Sequence, residues 1–143
     1  MSSACGLLVV WSTSYLVIMM AMGTYHDLDV YKRAYALALK THTFSLSLPK
    51  ELQYDLADQL RRASRSIPAN LAEGFGRAKS KKDILNFVKT ALGSNDEVIF
   101  NLQFAIDADL IDASKAVLLH EEYVICGKQL HNLIRHLKNE LTS

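Results

Sequence analysis

Apolar residues recur every three or four positions along most of the chain after residue 23, a spacing that predicts α-helices with one buried face. The first predicted helix begins at Asp27, a good N-cap residue, and runs to about Phe44. Its predicted inner face consists of Leu28, Tyr31, Tyr35, Ala38 and His42.

The second predicted helix follows a turn at residues 45–49, where Pro49 suits the first helical position. Because Pro68 lacks a backbone donor, we expect a kink near residues 65–68. Gly74 and Gly76 are expected to end the helix. The predicted inner face consists of Leu52, Leu56, Leu60, Ala63, Ile67 and Leu71.

The third predicted helix has the most regular spacing and begins near Ser80, which with Asp83 resembles a capping box. Steps of four and three define its inner face, which consists of Ile84, Val88, Ala91, Asn95, Val98, Leu102 and Ala105. A second stripe repeats every seven residues, at Leu85, Leu92, Ile99 and Ile106. Two adjacent stripes predict neighbours on two sides, as in a bundle, and packing between subunits as well.

The fourth predicted helix follows Asp112, a candidate N-cap, and extends to near Leu141. Its inner face consists of Leu119, Tyr123, Cys126, Leu130, Leu133 and Leu137. Four such helices joined by short turns favour antiparallel neighbours. The predicted fold is therefore all-α, an antiparallel up-down four-helix bundle formed by one domain, residues 23–143.

Residues 1–22 differ from the rest of the chain, because no charged side chain precedes Asp27 and residues 5–22 are almost entirely apolar. A mis-assigned translation start would place the native beginning at Met20 or Met22. A membrane anchor is the second interpretation, since 18 helical residues reach about 27 Å. A signal peptide is disfavoured by the lack of Lys or Arg before residue 5. Of the three interpretations, we expect the mis-assigned start. We expect the protein to associate with a membrane only if residues 5–22 are a real anchor.

A basic block is hidden in the net charge of +1. Residues 27–60 sum to −1 and residues 83–143 to −4, whereas residues 61–82 sum to +6. This block predicts a phosphate-binding surface, with RNA or a nucleic-acid-associated protein as the partner. The alternative is a solvated face, or one whose arginines pair with Asp55, Asp58 or acids of another subunit. The seven basic residues are Arg61, Arg62, Arg65, Arg77, Lys79, Lys81 and Lys82.

A set of polar residues lies near the inner faces of the second and third helices. Ser66, Asn70 and Glu73 share one helix face, and Asn95 occupies a position where an apolar residue is expected. Because buried polar groups must be hydrogen-bonded, we predict a structural polar network between the two helices. A ligand or catalytic pocket is the alternative. The predicted members are Ser66, Asn70, Glu73, Ser94, Asn95 and Glu97.

Motifs of catalysis and metal binding do not occur in the sequence. Glu121 and Glu122 lack the His three residues later that di-iron bundles use, and no phosphate loop or dinucleotide motif is present. Cys5 and Cys126 form no disulfide or zinc pattern, which fits a reducing cytoplasm. We therefore expect no enzymatic activity, no catalytic residue, no metal and no cofactor.

The segment QLRRASRSIPANLAEGFGR, residues 59–77, resembles the signature of the four helix bundle proteins, also called 23S rRNA intervening-sequence proteins. Residues 27–32, DLDVYK, resemble the opening of that family, and residues 91–97, ALGSNDE, its third-helix motif. The likeness covers about residues 24–112, with a looser match to the last helix. Residues 1–22 depart from the family pattern, which favours the mis-assigned start.

The resemblance implies an up-down bundle that assembles as a ring-like homopentamer, encoded in some cases within insertions of large-subunit rRNA. A related branch is the accessory protein of diversity-generating retroelements, a basic pentamer thought to bind nucleic acid and a reverse transcriptase. We therefore expect a non-enzymatic, oligomeric, cytoplasmic bundle that binds RNA or a nucleic-acid-associated partner through a basic surface. The alternative is a structural or protein-interaction module with no nucleic-acid role.

Overall fold

Four helices account for most of the described chain. The computed structural model describes Tyr25 and residues 28–142, so residues 1–22 and the predicted cap Asp27 lie outside the described residues. The helices are α1 (Asp29–Leu46), α2 (Leu56–Arg77), α3 (Lys81–Asp107) and α4 (Ala113–Thr142), with a short 3-10 turn at Lys50–Leu52. None of these described helices combines the length and the apolar character needed to cross a membrane.

The helices form an antiparallel ring in which each packs against the next, and α1 closes the ring with a smaller contact against α4. The side chains that join α1 to α4 show the antiparallel direction. Arg33 Nε donates to Gln129 Oε1 at 2.9 Å, while seven residues later Lys40 meets Glu122 at 3.0 Å. The predicted all-α four-helix bundle is confirmed.

The inner face predicted for α3 is confirmed except at its first position. Val88, Ala91, Val98, Leu102 and Ala105 have no exposed surface, whereas Ile84 is half-buried and Leu85 is buried in its place. Leu92, Ile99 and Ile106, members of the second stripe, pack half-buried against the core. Each fully buried Val or Leu contributes roughly 1.5–3 kcal/mol of transfer free energy, which makes this seam a main source of stability.

The inner face predicted for α1 is confirmed in part. Tyr31 and Ala38 are buried, whereas Tyr35 and His42 are exposed and the core instead receives Leu37 and Thr41. Side-chain size and aromatic character misled the prediction, because Ala and Thr are weak signals of burial. The buried positions of α1 are Val30, Tyr31, Ala34, Leu37, Ala38, Thr41 and Ser45.

Both predicted caps are present. Ser80 Oγ accepts the Asp83 backbone N–H at 3.2 Å at the start of α3, and Asp112 Oδ1 accepts the Ser114 N–H at 3.0 Å at the start of α4. That backbone hydrogen bond lowers the pKa of Asp112 below its usual value. The caps satisfy helix donors that would otherwise have no partner.

The start predicted for the second helix is wrong, whereas its end lies one residue beyond the predicted Gly76. α2 begins at Leu56 and not near Pro49, because Gln53 Nε2 caps the end of α1 by donating to the carbonyls of Ser45 (2.8 Å) and Leu48 (2.9 Å). α2 also continues through both glycines to Arg77.

α2 contains Gly74, which was expected to end the helix, and Pro68, at which a kink was expected. A Cβ at Gly74 would lie 2.7 Å from Phe87 Cβ, so this glycine permits close packing of α2 on α3. Pro68 lies inside one uninterrupted helix, and the kink there stays a prediction.

Tyr123, on α4, connects the core to two other helices. Its hydroxyl pairs with Thr41 Oγ1 of α1 at 2.6 Å, and its backbone carbonyl accepts from Asn95 Nδ2 of α3 at 3.0 Å. Burial raises the pKa of Tyr123, and the hydroxyls of Thr41 and Ser64 oppose that rise. The phenol is therefore a neutral hydrogen-bonding group at the centre of the bundle.

Tyr123→Phe removes one partner of a fully buried hydroxyl pair and leaves Thr41 without its cross-helix partner. We expect a loss of about 1–2 kcal/mol in the free energy of unfolding, measured by urea denaturation. Tyr54→Phe, at a tyrosine that is 94% exposed, is the matched control and should change stability by less than about 0.5 kcal/mol. Equal effects of the two substitutions would contradict the role given to Tyr123.

Candidate functional site

The seven basic residues of the sequence block lie in two separate places. Arg61, Arg62 and Arg65 occupy the first half of α2, whereas Arg77, Lys79, Lys81 and Lys82 surround the turn between α2 and α3. Sixteen residues separate Arg61 from Arg77, which corresponds to about 24 Å along a helix. The structure therefore does not bring the seven side chains into one surface.

Arg61 is committed to contacts within the subunit. Its guanidinium donates to Ser45 Oγ at 3.0 Å, to Gln53 Oε1 at 3.2 Å and to the Gln53 carbonyl at 3.0 Å. These bonds fasten the end of α1 and the following turn to α2. A half-buried guanidinium with three internal acceptors has little capacity left for a phosphate.

Arg62 and Arg65 are exposed and more loosely held. Arg62 Nε lies 4.0 Å from Asp58 Oδ2, and Arg65 Nε donates to the Arg61 carbonyl at 3.2 Å. Such an exposed ion pair contributes at most about 1 kcal/mol.

The last turns of α4 lie at the same end of the bundle as the turn between α2 and α3. Lys81 Nζ lies 3.7 Å from Glu140 Oε2, which brings the last turns of α4 beside the start of α3. Arg135 and Lys138 lie on those last turns and are exposed. We name this group the basic end, and it consists of Arg77, Lys79, Lys81, Lys82, Arg135 and Lys138.

Sequence reasoning did not find Arg135 and Lys138, because they lie more than fifty positions after the basic block. The antiparallel up-down topology was the available signal, since it places the end of the fourth helix beside the start of the third.

The opposite end of the bundle carries the other sign of charge. Acidic residues gather where α2 and α4 begin and α3 ends, with Lys50, Arg62 and Lys115 as the nearby exposed basic residues. Six acids against three exposed basic residues give this end a negative balance of charge. The acids of this end are Glu51, Asp55, Asp58, Asp107, Asp109 and Asp112.

Three of the six polar residues predicted to form a network come together between α2 and α3. Ser66 Oγ lies 2.8 Å from Ser94 Oγ, and Asn70 Nδ2 donates to the Ser66 carbonyl (2.8 Å) and hydroxyl (3.0 Å). This small group joins the two helices where their side chains are short.

The other three predicted members lie elsewhere. Asn95 faces α4, where its Nδ2 binds the Tyr123 carbonyl, while Glu73 and Glu97 are exposed. Asn95 Oδ1 is buried without a hydrogen-bond partner in the described part of the chain. A Cβ at Gly127 would lie 2.9 Å from Asn95 Nδ2, so Gly127 provides room for this amide.

Within residues 28–142 no three His, Cys, Asp or Glu side chains lie close enough together to hold a metal ion. Burial raises the pKa of the Cys126 thiol to about 11, which keeps it protonated and poorly nucleophilic near neutral pH.

These features define a class of protein, an α-helical bundle whose chemistry lies in charged and apolar surfaces. The model of the 23S rRNA-intervening sequence protein family matches residues 26–132. The chain belongs to this family, as the resemblance of residues 59–77 predicted. The family is not one of known enzymes. No curated protein matches the chain.

Arg61→Met removes the guanidinium that holds Ser45 and Gln53 while keeping an unbranched side chain. We expect the free energy of unfolding to fall by about 2 kcal/mol, because charged hydrogen bonds to partly buried acceptors are lost. Arg62→Met, one position along the same helix, should change it by less than about 0.5 kcal/mol. Urea denaturation of both variants measures the difference. An Arg61 variant as stable as the Arg62 variant would show that the guanidinium is free for an external ligand.

Proposed function

We propose that the protein is a non-enzymatic, homo-oligomeric bundle that binds RNA through its basic end. What supports the proposal is that the α2–α3 turn and the last turns of α4, which together carry six basic and two acidic residues, lie at the same end of the bundle. The acidic opposite pole repels phosphate and so favours approach by that end alone.

The free charges of the basic end support contact with a phosphate backbone. Lys79 and Lys82 are exposed and take part in no ion pair within the described part of the chain, so their ammonium groups are available. Each phosphate they neutralise would release condensed counterions, the main source of non-specific affinity for nucleic acid. The family name associates these proteins with 23S rRNA, which favours RNA as the nucleic acid.

Assembly of several copies would multiply this contact. A single basic end offers few phosphate contacts, but linked copies bind one RNA with an affinity above that of any one copy. The homopentamer implied by the family resemblance is the assembly we expect. The cytoplasm is the compartment we propose, since the buried Cys126 is a free thiol.

A second candidate function is a protein-interaction module without a nucleic-acid role. It is favoured by an open groove of about 530 Å³ between α1 and α4, in which Leu39, Phe44 and Leu118 are accessible. Exposed apolar surface of this kind is typical of protein contacts. A test of RNA binding distinguishes the two candidate functions, because only the first requires it.

Replacing Lys79 and Lys82 together by Gln should weaken RNA binding by about tenfold or more at 100 mM KCl, since two phosphate contacts are lost. A fluorescein-labelled RNA hairpin titrated with protein from 50 to 300 mM KCl measures affinity by anisotropy. The slope of log affinity against log salt should fall in magnitude by about 2.

Lys50→Gln combined with Lys128→Gln is the matched control, because it removes the same charge from exposed positions away from the basic end. Its affinity should stay within about twofold of the unmodified protein. Equal losses in the two double variants would show that only net charge matters. Absence of salt-dependent binding in the unmodified protein would refute the RNA proposal and favour the protein-interaction module.

A further inference from the structure

The outer surface of α3 carries two exposed aromatic side chains. Phe100 is 65% exposed and Phe104 55%, and their rings stack with centroids 6.1 Å apart. Neighbouring exposed phenylalanines present a large apolar area to water, which is typical of a surface covered by a partner.

Gly93 lies on the same stripe of α3 as these rings, because positions 93, 97, 100 and 104 follow steps of four and three. A Cβ at Gly93 would have nothing within 4 Å of it. Glycine is unfavourable inside a helix relative to alanine, and no packing within the subunit requires it here. The missing side chain therefore suits close approach by another molecule.

A groove between α1 and α2 has the matching apolar character. It encloses about 500 Å³ and is lined by Tyr35 and Leu39 from α1 and by Pro68 and Ala69 from α2. Leu39 is 58% exposed, although it is one of the larger aliphatic side chains of the helix. The groove exists because α1 buries Thr41 and turns these larger side chains outward.

The charges beside Phe100 and beside the groove are opposite. Asp96 and Glu97 lie one turn before Phe100 on α3 and form no ion pair within the described part of the chain, while Lys89 lies one turn before Gly93. Arg65 lines the groove between α1 and α2, and Arg62 lies one turn away. Two α3 surfaces facing each other would oppose carboxylates, whereas an α3 surface in the groove would pair carboxylates with guanidinium groups.

We propose that copies of this chain bind each other by placing the outer surface of α3, centred on Gly93, Phe100 and Phe104, in the α1–α2 groove of the next copy. This inference rests on the homo-oligomeric part of the proposed function and specifies its contact. The two surfaces share no residue, so one copy makes both contacts at once. Such a head-to-tail contact generates a ring when the rotation closes.

Two substitutions, each of which blocks one surface, test the contact. Phe100→Glu adds an acid to the α3 surface, and Leu39→Glu places an acid in the groove. Ile125→Glu is the matched control, because Ile125 is an exposed aliphatic residue of α4 outside both surfaces. Light scattering after size exclusion gives the mass of each full-length variant, and circular dichroism verifies that it is folded.

The unmodified protein and the Ile125 variant should form the same oligomer, whereas the Phe100 and Leu39 variants should each have the subunit mass of 16.0 kDa. Mixing the two blocked variants should restore one contact and give a species of twice that mass. Such a heterodimer forms only if the intact α3 surface of the Leu39 variant binds the intact α1–α2 groove of the Phe100 variant. Blocked variants that remain oligomeric, or that fail to form a heterodimer when mixed, would overturn the proposal.

Gly93→Gln provides a second readout. A glutamine fits the open space of the isolated subunit and favours the helix, so the folded subunit should be at least as resistant to urea as the unmodified one. The same substitution should weaken self-association by about tenfold or more, because the side chain fills the approach path. Lower subunit stability with unchanged association would assign Gly93 to folding and overturn its role in the contact.

These outcomes are separate from the test of the basic end. An unmodified protein that is oligomeric but unaffected by Phe100→Glu refutes this contact and leaves oligomeric RNA binding intact. A protein that is a single subunit at all concentrations refutes both this contact and the homo-oligomer, while RNA binding is still decided by Lys79 and Lys82.

Discussion

The hydroxyl pair formed by Tyr123 and Thr41 is the constraint from which the surfaces of the bundle follow. A phenol with no exposed surface must be hydrogen-bonded, and Thr41 is the partner that α1 provides at 2.6 Å. This requirement turns Thr41 inward and therefore turns Leu39 outward. On α3, Asn95 faces the Tyr123 carbonyl, which leaves Phe100 on the outer side. One buried side chain thus fixes the rotation of two helices.

Much of the fold could be predicted from the sequence, because spacing by three and four residues signals helices regardless of their neighbours. The α3 seam and the caps at Ser80 and Asp112 are local features and were predicted correctly. The face of α1 was predicted only in part, since the burial of Thr41 depends on a tyrosine 82 positions away. The packing role of Gly74 was not predicted, because the reason for it is Phe87 on another helix.

The candidate site shows the same division between local and distant information. The charge block from Arg61 to Lys82 is visible in the sequence, but its two halves lie in different turns of α2 and beyond it, with sixteen positions from Arg61 to Arg77. The guanidinium of Arg61 donates hydrogen bonds to three acceptors within the subunit. Arg135 and Lys138 of α4 reach the basic end of the bundle only when the chain folds. A bundle with two complementary apolar surfaces can form the same contact with each neighbouring copy. Such an assembly would keep the basic ends of the copies together. Copies that meet side by side would present their basic poles to one RNA.

The mass of the native protein, with any nucleic acid that co-purifies, tests the central claim most directly. Native mass spectrometry of the full chain, purified at low salt, is the measurement. The account predicts a species at a whole-number multiple of 16.0 kDa that carries RNA, and that loses the RNA but keeps its subunits when salt is raised. A single subunit of 16.0 kDa, free of nucleic acid at every salt concentration, would contradict it.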